Sequence, residues 1–159
     1  MGLRERLFGS GGGSNCTTDS FEIRLPKGWK PAHKPTHYGF VREPDGEQVT
    51  ISAQKARASL DKPTLFIAAL EVVAALQHAF RTLSGGTASF SEPESTDVED
   101  GMDVTFGITD ASATVQARAW VLARSHCIVT LTFLRYPPLV EPDIFLARCT
   151  EIRAAVRLK

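Results

Sequence analysis

The sequence predicts an α+β fold: a six- to seven-stranded antiparallel sheet with one long helix on one face and a second helix at the C-terminus. Three observations carry this. Apolar and polar residues alternate at Phe21, Ile23 and Leu25, and again in four successive segments between residues 87 and 136. Leu65, Ala69, Val72, Leu76 and Leu83 recur at helical spacing, and after Pro137-Pro138 a second stripe runs through Phe145, Cys149, Ile152 and Val156. The order is βββαββββα with no internal repeat. Residues 17–159 read as one domain, and residues 1–16 as a flexible extension with a Gly/Ser linker at 9–14.

The first strand, 21–25, is stopped by Pro26 and turned at Lys27-Gly28 before Trp29. Runs 38–42 and 48–53 form a hairpin across Glu43-Pro44-Asp45-Gly46-Glu47, where proline presets φ and glycine accepts a positive one. Asp61 is placed to cap the long helix, 63–83. Pro63 suits its first turn, where no amide donor is needed, and Gly85-Gly86 stops it. Strands 87–92, 102–109, 112–123 and 126–136 follow, rich in Thr, Val, Phe and Ile. Pro142 opens the closing helix, whose arginines Arg148, Arg153 and Arg157 read as its wet face.

Two-residue turns at Asp110-Ala111 and Arg124-Ser125 would set Thr109 opposite Ser112 and Ala123 opposite His126. One sheet face then gathers Met102, Val104, Phe106, Ile108, Val115, Ala117, Ala119, Val121, Ile128 and Leu134, and its alanines let the long helix come close. The other face sets Asp103 opposite Arg118. It then turns apolar at Trp120, Leu122, Val129, Leu131 and Phe133, with Val129 opposite Trp120. That patch needs a cover. Either the C-terminal helix lies over it, or it stays open as a partner-binding groove or dimer surface, which makes these five residues the candidate binding site.

Lysine plus arginine (18) balances aspartate plus glutamate (18), so no net field recruits nucleic acid or anionic lipid. The longest apolar stretch, 65–83, is interrupted by Glu71, Gln77, His78 and Arg81, so no membrane span is expected. Cys16, Cys127 and Cys149 are odd in number and far apart, and residues 1–8 lack an apolar signal core; a reducing, cytoplasmic setting is the expectation. His33 and His37 read as solvated loop residues, because no further Cys or His completes a zinc set nearby. His126 and Cys127 point to opposite faces of a strand, so they cannot pair, and Cys127 reads as a core residue. Glu92, Glu94, Asp97, Glu99, Asp100 and Asp103 lack calcium-loop spacing and read as a charged edge loop. No phosphate loop and no nucleophile elbow is present. The expectation is a non-enzyme without metal or cofactor. An enzyme reading would need His78 or His126 beside a carboxylate in a buried pocket.

Phe21-Glu-Ile-Arg-Leu-Pro-Lys-Gly-Trp29 resembles the opening of PsbP-like and DcrB-like proteins, where a first strand runs into Pro and Trp. The element order agrees over about residues 19–159, including Val49-Thr-Ile-Ser52 and a late helical arginine, Arg81. One branch, the cytoplasmic Eag-type chaperones, is similar in length and in lacking a signal; it differs by the 1–14 extension and the 30–37 loop. That resemblance implies a PsbP-like fold and a chaperone or adaptor. Its partner would be a hydrophobic segment of a type VI secretion effector, and a homodimer could supply two such faces. A structural or regulatory domain that recognises its partner through loops or the N-terminal tail is the other implied role.

Overall fold

The computed structural model describes residues 14–43, 45–56, 58–111 and 115–159. Residues 1–8, the linker up to residue 13, Pro44 of the hairpin turn, Arg57 and residues 112–114 of an expected strand lie outside them. In chain order the elements are β1 (Ser14–Thr17), β2 (Phe21–Leu25), β3 (Trp29–Pro31), β4 (Tyr38–Arg42), β5 (Gln48–Lys55), α1 (Lys62–Leu83), β6 (Ala88–Phe90), β7 (Glu94–Val98), β8 (Gly101–Asp110), β9 (Gln116–Arg124), β10 (Cys127–Arg135), α2 (Pro142–Ala154) and β11 (Val156–Leu158).

The alternating strands build a large antiparallel sheet in the order β3-β4-β5-β10-β9-β8-β6, with β7 also paired to β8. The fold is α+β, as the periodicities predict. The first strand does not join this sheet. β2 pairs instead with β1 and β11 in a separate three-stranded sheet. β1, at Ser14–Thr17, thus takes in residues expected to belong to the N-terminal extension. Likewise, the last apolar residue of the C-terminal stripe leaves the helix: α2 ends at Ala154, and Val156 is buried from β11, opposite Ile23. The acidic 94–98 segment, expected as a loop, is an exposed edge strand on β8, where its charges keep the open edge from pairing with other chains.

Both hairpins among β8, β9 and β10 differ from the expected registers: the β8–β9 connection is longer than two residues, and the two-residue turn between β9 and β10 sits at Ser125-His126, one residue later than expected. Thr109 faces Gln116, four residues further along than Ser112, and Ala123 faces Ile128, two further than His126. Each displacement is even, so every side chain keeps its face. The alanine face lies under α1: Leu65, Ala69 and Val73 pack with Phe106, Ala117, Ala119 and Val121 in one buried cluster. Asp61 caps this helix by accepting the Thr64 N–H at 2.9 Å. The same displacement separates the expected Asp103–Arg118 pair. Asp103 instead accepts from Arg124 at 2.8 Å and from Arg153 of α2 at 2.7 Å.

A second ionic tie anchors α2. Glu47, on the hairpin before β5, accepts from Arg135 of β10 and from Arg148 of α2, each at 2.6 Å. Arg148 and Arg153 are therefore not a wet face, and only Arg157, on β11, is exposed as expected. Asp45 joins this cluster. Burial alone would raise its carboxyl, but the Glu47 backbone N–H and the Arg42 and Arg135 guanidinium groups hold it below the ordinary value. Gly46 takes φ 73°, as the hairpin turn requires. Gly101 takes φ 154°, and a Cβ there would collide with the Ala123 carbonyl.

Phe106 is fully buried, so Phe106→Ala should cost about 3–5 kcal/mol in urea denaturation. Because the Asp45 carboxyl is depressed in the folded state, its stabilising contribution is complete above the unfolded value near about pH 4 and is lost as pH falls through the folded value. Asp45→Asn should therefore flatten the loss of stability on acidification from about pH 4 to 2, measured by thermal melts.

Candidate functional site

The apolar face that was the candidate groove is closed. Trp120, Leu122, Val129, Leu131 and Phe133 are all buried, with Trp120 at 8% and Phe133 at 3% of their accessible surface. Trp120 pairs in register with Leu131 rather than Val129, and its ring meets that of Phe133 edge-on at 5.4 Å. The cover is double. Phe145, Cys149 and Ile152 come from α2, and Phe21, Ile23 and Val156 from the small sheet, all within one core cluster. In this arrangement no partner reaches the five side chains. The small sheet was not foreseen as a cover, because short strands at the two ends of the chain show no sequence signal that they pair.

The nucleophile and metal candidates are also accounted for. Cys16, Cys127 and Cys149 are buried thiols. Burial pushes Cys127 up, and pushes Cys149 up to about 12, the reverse of what a reactive cysteine needs. His126 lies 3.8 Å from Asp100, but both side chains are more than half exposed; Nε2 of the histidine meets the Lys159 carbonyl at 2.6 Å. His78 is exposed on α1. His33 is not a solvated loop residue: its ring packs edge-on against Tyr38 and Phe40, and Nδ1 accepts the Gly39 N–H at 3.2 Å. Among the described residues no group of three or more His, Cys, Asp or Glu is placed to hold a metal ion.

What remains open is the surface around α1. This helix buries only Leu65, Ala69 and Val73, whereas Phe66, Ile67 and Leu70 are 41–59% exposed and Leu83 is 84% exposed. By length and composition it could cross a membrane, despite the interruptions noted above; its packing against β9, β8 and β6 makes it part of the folded domain. On one flank, Leu70, Ala74, Gln77 and Arg81 face Phe90 and Pro93 across an open groove of about 530 Å³. Within its lining, the Arg81 guanidinium lies over the Phe90 ring at 4.9 Å. At the C-terminal end of α1, Phe80, Leu83, Ile108, Leu134 and Tyr136 line a second, more apolar hollow of about 360 Å³. The sequence placed α1 correctly, but its apolar residues read as a single core stripe. The unburied half was visible in retrospect, since Phe66, Ile67 and Leu70 fall outside that stripe.

No protein family model and no curated protein matches this chain. Among solved structures, it is similar to the solution structure of cyanobacterial PsbP (CyanoP) from Synechocystis sp. PCC 6803, with a TM-score of 0.63 at 12% identity, covering 100% of this chain and 95% of that one. A crystal structure from Bacteroides thetaiotaomicron VPI-5482 aligns with 87% of this chain and 45% of that one, at TM-score 0.49 and 12% identity. The first likeness shows that the fold is PsbP-like.

With three buried thiols, iodoacetamide at about pH 8 should leave the native chain unlabelled and modify all three cysteines after denaturation, as read by mass spectrometry. Rapid labelling of Cys149 in the native chain would show that α2 does not stay seated.

Proposed function

We propose that this chain is a non-enzymatic protein-binding module that receives an apolar helical segment of its partner along α1. The exposed Phe66, Ile67 and Leu70 on a helix flanked by grooves carry this reading. A helix laid beside α1 would cover apolar side chains that the fold itself leaves in water, the helix-in-groove mode of recognition. In its finer form the module is a cytoplasmic chaperone or adaptor that shields an apolar segment of a secreted effector. The Trp120 face takes no part in the proposal, since α2 and the small sheet already fill it.

Leu70→Asp and Phe66→Asp alter exposed positions and should change stability by no more than about 0.5 kcal/mol. Each should weaken binding of a synthetic apolar helix at least about tenfold in fluorescence titrations. Unchanged binding by both stably folded variants would overturn the reading.

A further inference from the structure

Five arginines, Arg118, Arg124, Arg135, Arg148 and Arg153, stand on or over the sheet face beneath α2. Four of them have carboxylates: Arg124 and Arg153 share Asp103, and Arg135 and Arg148 share Glu47. Arg118 has none within ion-pair distance among the described residues. Its Nε is buried without a hydrogen-bond acceptor, and its guanidinium lies over the Trp120 ring at 5.1 Å. A buried Nε–H without an acceptor is costly, and it leaves the Nη groups as the donors that an anion could meet.

The surroundings leave room for that anion. Arg118 is paired in register with Gly107, and its Nη1 lies 3.4 Å from where a Cβ on that glycine would stand. A Cβ there would just touch the guanidinium, and a side chain longer than alanine would crowd it. Gly107 and Arg118 open into a pocket of about 240 Å³, walled on the α2 side by Pro142, Phe145 and Leu146. Asp143 also lines it. Apart from Asp143 the α2 wall is apolar, and Arg118 brings a cation to the base.

We propose that this pocket binds a carboxylate carried on a short apolar stem, with the carboxylate on the Arg118 guanidinium and the stem against Phe145 and Leu146. A planar guanidinium with free donors matches a carboxylate's two oxygens. Two sources offer this chemistry: a free short-chain carboxylic acid, and the C-terminal residue of a peptide. The pocket shares Ile108, Val115 and Ala117 with the hollow at the C-terminal end of α1 but includes none of Phe66, Ile67 and Leu70, so its test does not depend on the protein-binding proposal.

The full chain is titrated with hexanoate, N-acetyl-leucine and their neutral amides, following the Gly107 amide and Arg118 Nε–H by NMR together with tryptophan fluorescence. At least one acid should bind at least about tenfold more tightly than its amide, and the tighter acid identifies the source. Arg118→Gln should weaken acid binding at least about tenfold, with Arg118→Lys recovering part of it. Leu146→Trp, at a 39% exposed position, should block the pocket while Arg118 stays in place. Three results would overturn the proposal: equal binding of acids and amides, no response at Gly107 or Arg118 up to about 10 mM, or unchanged acid affinity in Arg118→Gln and Leu146→Trp.

Discussion

The fold depends on the sheet of β8, β9 and β10, which gathers apolar side chains on both of its faces. A sheet of this kind cannot leave either side in water, so each face must find its own cover. The alanine face takes α1, because Ala117 and Ala119 let a helix backbone come close beside Phe106. The Trp120 face is larger and more aromatic, and one short helix does not span it. The chain meets this with both of its ends, folding β1, β2 and β11 into a small sheet that completes what α2 begins.

The cover is pinned by charge as well as by packing. Asp103 and Glu47 each accept from one strand arginine and one α2 arginine, so the middle and the C-terminal end of α2 are tied down through shared carboxylates. Such pairs fix geometry more than they add stability, since desolvation offsets much of the attraction. Arg118 breaks the pattern: among the described residues it meets no carboxylate and lies instead over the Trp120 ring. On the other side, among the described residues α1 has a single exposed ion pair, Lys62–Asp97 at 3.9 Å, and much of its apolar surface stays outward. The fold thus has one face closed by packing and charge, and one helix left available.

Much of this was legible because side-chain period is coarser than register. The even displacements in both hairpins left Phe106, Ala117 and Trp120 on the faces assigned from alternation, although every cross-strand partner changed. Partner-level statements failed for the same reason: Asp103 opposite Arg118 required the turn itself to be right. Asp61, Pro63 and Gly85 fixed the ends of α1 through local chemistry, which sequence carries directly. The pairing of β2 with β11 joins the two ends of the chain, and no local signal specifies a contact of that range. The Glu47 cluster was hidden likewise, since Arg135 and Arg148 meet that carboxylate only through the fold. The open surface on α1 was hidden by its composition, which looks the same whether a helix is buried or waiting for a partner.

Collisional quenching of tryptophan fluorescence by acrylamide tests the closed Trp120 face most directly. Trp29 and Trp120 both lie in the cluster beneath the small sheet and α2. A face sealed on that side predicts a native quenching constant several-fold below that of the chain in denaturant. A native constant close to the denatured one would contradict it, and would return the sheet face to water and to partners.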